Sequence, residues 1–153
     1  MTTNIIQILS GILGSIGFAL IFNLKKDKIP YIIVGAGMGW AIYLLCYHYT
    51  TNLFLSNVAA SVFCTASAEV LARWRKAPAT LFLLIHIIPL VPGGSLYRTM
   101  RSFVIKDQQA FALNGMNTLY VSAGIAVGIL IVTSIIYILN SFKKHKKPAQ
   151  VPI

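Results

Sequence analysis

The segment from His86 to Arg101, H-I-I-P-L-V-P-G-G-S-L-Y-R-T-M-R, constrains the fold more than any other stretch of the chain. It begins as an apolar helix, is interrupted at Pro89 and again at Pro92-Gly93-Gly94, and resumes as a segment bearing Arg98 and Arg101. Each proline removes a backbone donor, and the two glycines let the chain turn without a side-chain clash. A helix broken inside lipid frees backbone groups that water does not reach. Such a break persists where protein or a polar cavity covers it, and in transporters half-helices of this kind often border the substrate path.

The rest of the chain places that segment in a membrane. Of 153 residues, 57% are hydrophobic and 10% charged, with a mean hydropathy of +0.76. A soluble domain carries roughly 25% charged residues, so most of this surface cannot face water. The formal charge of +10 comes from 13 lysines and arginines set against 3 acids. These basic residues form short clusters between apolar runs, without the aromatic-interleaved surface that single-strand binding needs. Membrane orientation accounts for the bias, and nucleic acid is not an expected partner. Cys46 and Cys64 lie inside apolar runs without paired spacing and read as small buried residues, not as a disulfide or metal pair. Met1 to Ser10 lacks a basic leader region, so the first apolar run is expected to remain in the mature protein.

A crossing takes about 20 apolar residues. The spans read as residues 5–22, 30–47, 53–71, 79–104 with the break inside it, and 119–139. The expected fold is an all-α integral membrane protein of about five transmembrane helices, the fourth broken at Pro89 and Pro92 to Gly94. Residues 1–142 form one membrane domain, and residues 143–153 a basic tail. Lys25, Lys26, Lys28, Arg73, Arg75, Lys76 and Lys143, Lys144, Lys146, Lys147 fall on one side; Arg98, Arg101 and Lys106 fall on the other. The positive-inside rule then puts the N-terminus outside and the C-terminus in the cytoplasm.

Charge also judges the break. Ala79 to Val91 makes roughly 20 Å of helix, against a hydrocarbon core of about 30 Å. A chain that turned back there would carry the Lys143 to Lys147 cluster outside. Continuation through a second half-helix fits better, because Leu96, Tyr97, Met100, Phe103 and Val104 recur at helical spacing. The break is expected in the outer third of the crossing. Gly11, Gly14 and Gly17, Gly35 and Gly39, and Gly124 and Gly128 form small-residue stripes suited to close helix packing.

A half-helix starting near Gly94 or Ser95 aims free N–H groups and a positive dipole end into the bundle, which attracts a carboxylate. Arg98, one turn on, adds a bidentate cation. Pro92, Gly93, Gly94, Ser95 and Arg98 are therefore the candidate substrate-binding set. The plainer alternative is a packed proline kink with Arg98 reaching the outer interface. Glu69, inside a span, has Arg73 four residues on. The pair is either an anchor at the helix end or a proton-coupling or gating group. His86 has no second ligand in spacing and reads as a hydrogen-bonded structural histidine. Ser10, Ser15, Asn23, Asn57, Ser61, Thr65 and Ser67 serve as interhelical glue or as pathway lining. With no nucleophile–base pair, metal-ligand cluster or phosphate-cradling loop, neither catalytic residues nor a metal or cofactor is expected, and the chain is not read as an enzyme. Five slim helices leave surface poorly suited to lipid, so packing against copies of itself or a second membrane subunit is expected.

Four blocks carry a resemblance: G-F-A-L-I-F-N at Gly17 to Asn23, A-E-V-L-A-R at Ala68 to Arg73, K-A-P-A-T at Lys76 to Thr80, and I-P-L-V-P-G-G-S-L-Y-R-T-M at Ile88 to Met100. Over nearly its whole length the chain resembles the small subunit of the split threonine/serine exporter (ThrE) family, the YjjB-like kind. The last block is the most specific. The resemblance implies a multi-pass component of a bacterial inner-membrane exporter that needs a larger partner subunit. It implies substrates such as threonine and serine, or dicarboxylates in some split systems, and supplies no residue roles of its own.

Overall fold

The computed structural model describes the backbone of residues 2–145 and the side chains of residues 5–142; part of the expected tail, residues 146–153, lies outside the described residues. Among the described residues six α-helices follow one another: α1 (Thr2–Ile21), α2 (Ile29–Thr50), α3 (Leu53–Arg75), α4 (Ala79–Ile87), α5 (Gly93–Val104) and α6 (Gln108–His145). Single 3₁₀ turns precede α2 (Lys26–Lys28) and follow α4 (Ile88–Leu90). No strand occurs among the described residues. α2, α3 and α6 are long and apolar enough to cross a membrane, and α4 with α5 adds a fourth such element, bent by 55°. α1 contributes a shorter apolar stretch, Ile5–Ile21.

Local chemistry sets these boundaries. Pro30 stands in the first turn of α2, where a missing N–H is harmless. Asn52 caps α3, its Oδ1 accepting from the N–H groups of Phe54 at 3.0 Å and Leu55 at 3.2 Å. Helix ends turn through left-handed residues that are not glycine: Asn23, Thr51, Lys76 and Lys106.

α3 sits at the centre of the bundle, packed on α2, α4 and α6. Its seam with α6 runs backbone to backbone. A Cβ added at Gly124 stands 2.7 Å from the Phe54 carbonyl, and one at Gly128 stands 2.8 Å from the Val58 carbonyl and overlaps Ser61 Oγ. The Ser61 hydroxyl, 3.1 Å from the Val58 carbonyl of its own helix, shares its proton with the Gly124 carbonyl at 3.4 Å across the same seam. On the other side of α3, Ala68 and Ala72 form a core with Ala19, Leu24, Ile32, Phe82 and Ile85.

Two sequence expectations change. α6 begins at Gln108 and not near residue 119, and runs for 38 residues. At 1.5 Å per residue that is roughly 57 Å, nearly twice a hydrocarbon core of about 30 Å. Its polar first turns are helical because Asp107 caps them, accepting from the Ala110 N–H at 3.0 Å, and because α5 lies alongside. Thr99 and Thr118 hydroxyls meet there at 3.5 Å, and Gly115 faces Thr99. The buried face of α5 is thus Thr99 and Ser102, while Tyr97, Met100, Phe103 and Val104 are exposed.

The break also lies deeper than expected. Leu90 packs in one cluster with Ala60, Cys64 and Ile125, close to mid-length on α3 and not in its outer third. The turn from α3 to α4 is short, so α4 starts level with the last turn of α3. Ala79 to Leu90 then rises roughly 18 Å, about half the length of α3.

Candidate functional site: the cavity at the helix break

Breaking the helix creates two obligations, and the bundle meets both. Pro89 has no N–H to give the carbonyl four residues earlier, that of Ile85. Ser15 of α1 donates to that oxygen instead, at 3.2 Å, with both residues fully buried. The next carbonyl, of His86, receives the Cys64 thiol of α3 at 3.5 Å. Gly11 lets α1 come this close, since a Cβ there stands 3.2 Å from Pro89 Cβ. Gly35 and Gly39 do the same for α2, against the His86 ring and Cys64 Sγ. Ser15 and Cys64 thereby hold the broken end in place, which makes them interhelical glue.

Beyond the break the chain opens a cavity of about 390 Å³, within the roughly 300–1,000 Å³ of ligand sites. Pro89 to Pro92, Gly94, Ser95 and Arg98 form one wall; Trp40, Tyr43 and Tyr47 of α2 form another. Leu53 and Asn57 of α3, with Asn117 and Val121 of α6, close it. Four of the five residues proposed from sequence meet here. Gly93 is not part of the lining, and its N–H is turned back onto the Val91 carbonyl at 2.7 Å.

The polar inventory favours an anion. α5 starts at Gly93, and no side chain caps it. Leu96 N–H reaches the Pro92 carbonyl at 2.9 Å, whereas the Gly94 and Ser95 N–H groups have no backbone acceptor among the described residues. Arg98 folds toward this end, its guanidinium 3.9 Å from the Cβ position of Gly94. No carboxylate answers it among the described residues, because the three acidic side chains are engaged elsewhere. Asp27 pairs with Arg75 at 2.8 Å, Glu69 with Arg73 at 3.8 Å, and Asp107 caps α6. Two amides add neutral hydrogen bonding. Asn57 gives its Nδ2 to the Leu53 carbonyl at 2.7 Å and keeps its oxygen free; the Asn117 side chain, on α6, makes no hydrogen bond among the described residues. The Trp40 indole N–H is buried without an acceptor.

The other sequence-selected residues lie apart. Glu69 and Arg73 border a separate hollow against Val132, Ile135 and Ile136 of α6, toward the opposite end of α3. Gly14 and Gly17 face open space. Asn117, Trp40 and Tyr43 belong to the cavity and were missed as site residues. Asn117 lies ahead of the apolar run, and the two aromatics read as interfacial anchors. Their shared seat follows only from how α2 and α6 pack.

A family model described as Threonine/Serine exporter, ThrE, matches residues 7–135. No solved structure matches the chain.

Proposed function

The chain belongs to the threonine/serine exporter family, and from that premise we propose that it is the small membrane subunit of a two-component secondary exporter. Its cargo in this reading is threonine, serine or a related small carboxylate such as a dicarboxylate, carried out of a bacterial cell across the inner membrane with a larger partner subunit. The carrying observation is Arg98 without a counter-ion among the described residues, beside the uncapped first turn of α5, at a cavity of about 390 Å³. Carboxylate oxygens take the Gly94 and Ser95 amides and the guanidinium, while Asn57 and Asn117 read a hydroxyl. In this reading the cargo crosses unchanged, and the chain acts as a transporter and not as an enzyme.

The proposed topology has five crossings, the N-terminus outside and the C-terminus inside. Clustering of the basic turns supports it. Arg75 at the end of α3 pairs with Asp27 in the turn before α2 and lies 5.0 Å over the Tyr31 ring, which joins the two basic loops at one end. A cysteine replacing Lys144, in a background without Cys46 and Cys64, is expected to resist impermeant labelling from outside intact cells. Labelling there overturns the topology.

Export of labelled threonine and serine, measured with the partner co-expressed, tests the function. Arg98→Ala is expected to lower export about tenfold or more, the scale of one lost charge-assisted hydrogen bond, with complex assembly unchanged. A different result favours a purely structural subunit whose partner holds the pathway. That result is full export by Arg98→Ala and Glu69→Gln while Gly35→Leu, which drives a side chain into His86, abolishes assembly.

A further inference from the structure

α5 and the first turns of α6 form an antiparallel hairpin that leaves the bundle. Thr99 meets Thr118 and Gly115, and the Phe103 and Phe111 rings lie 5.8 Å apart. α6 is the helix on which α5 packs, and α5 has at most marginal contact with any other described element. α3 and α6 run parallel, Gly124 beside Phe54 and Gly128 beside Ser61. The start of α3 is level with Tyr120 and Ala123, which border the same hollow as Leu53. Residues 108–119 therefore run on past α3 for roughly 18 Å. α3 itself spans roughly 34 Å, enough for a hydrocarbon core of about 30 Å. The tip of the hairpin thus stands outside that core, and Lys106, at the tip, is not drawn into lipid cheaply.

What the tip presents to its surroundings is nonetheless apolar. Met100, Phe103, Val104 and Ile105 are between 60% and 77% exposed, while the face turned to α6 carries Thr99 and Ser102. Beside them opens a hollow of about 470 Å³, walled by Phe103 and Phe111 and edged by Lys106 and Asp107. Arg101 and Lys106 are exposed at the margin of this face. An apolar patch held in water marks a contact surface.

Charge and orientation choose among the things that could cover it. Lipid covers a basic amphipathic helix that lies in the plane of the membrane, whereas α5 runs antiparallel to a crossing helix and stands out of that plane. A second copy brings its own Arg101 and Lys106 to the same level and no acid to answer them. Among the described residues Asp27 and Glu69 are paired at the opposite end of the bundle, and Asp107 caps α6. A different chain, with an apolar face edged by carboxylates, meets both requirements.

We infer that the exposed face of α5 and the hollow at the hairpin tip are the docking surface for the larger partner subunit. An apolar side chain of that subunit seats against Phe103 and Phe111, and its carboxylates meet Arg101 and Lys106. The identity of the partner rests on the function proposed above; the apolar and acidic character of what docks does not.

The test places a photoreactive phenylalanine analogue at Met100 or at Val104 of the full chain, in cells that also make the larger subunit. The expected result on irradiation is a covalent adduct with the larger subunit from both positions. Adducts with a second copy, or with lipid alone, overturn the proposal. Phe103→Ala, and separately Arg101→Glu combined with Lys106→Glu, are each expected to lower recovery of the complex about tenfold or more. The unfolding midpoint of the isolated chain stays unchanged, because these side chains are exposed. A complex recovered in full from both variants overturns the docking surface and leaves the two-subunit reading standing. A wild-type chain that recovers no larger subunit overturns both together.

Discussion

The seam between α3 and α6 and the break between α4 and α5 are both built with glycine, for opposite ends. At the seam, Gly124 and Gly128 lie inside a continuous helix and bring two backbones together. At the break, Gly93 and Gly94 lie in the first turn of α5 without a positive φ and have almost nothing against them, and Gly94 borders the cavity. One pair removes space and the other makes it. In a membrane, where lipid tails are as apolar as leucine, close backbone packing is a main source of helix association. The α3–α6 seam therefore supplies a fixed frame against which the α4–α5 element stays open.

That contrast can be broken from either side. The largest effect is expected at the seam: Gly128→Ala sets a methyl group against Ser61 and the Val58 carbonyl, and costs about 1–3 kcal/mol. Denaturant unfolding in detergent reads this directly, and an unchanged midpoint means the seam is not the frame. A smaller and purely functional effect is expected in the cavity. Asn117→Leu is expected to lower export about fivefold, the equivalent of one neutral hydrogen bond of about 1 kcal/mol, with unfolding unaltered. A parallel loss of stability would make Asn117 part of the frame. The smallest effect has the opposite sign. Gly14 faces open space, so Gly14→Ala is expected to stabilise the isolated chain by about 0.5–1 kcal/mol through helix propensity. If the same substitution prevents assembly with the partner, the free face of α1 is where the partner sits.

The frame was more legible in the sequence than the cavity. Apolar runs and the pairs Gly35/Gly39 and Gly124/Gly128 announce helices and their narrow faces, because those signals are local. Four cavity residues, Pro92, Gly94, Ser95 and Arg98, were readable for the same reason: they are consecutive turns of one segment. Asn57 and Asn117 are not, since they are far apart in the chain and share a cavity only because α3 and α6 cross at Gly124. The start of α6 was missed for a related reason. Gln108, Gln109, Asn114 and Asn117 look like loop until α5 is laid beside them, and depth along α3 could not be judged without knowing how short the α3–α4 turn is.

The left-handed helix ends have a consequence of their own. Asn23, Thr51, Lys76 and Lys106 take backbone angles near φ 51, 51, 48 and 58 degrees, and no described glycine has a positive φ. Glycine is the usual residue at such a position because it avoids the steric penalty. It is also indifferent to its surroundings, so a glycine-ended helix can slide between water and lipid. A lysine, asparagine or threonine cannot do so cheaply. These four residues therefore act as depth stops, fixing the level at which each helix leaves the bilayer. With their levels fixed, a change at the break can be expressed as tilt but not as sinking.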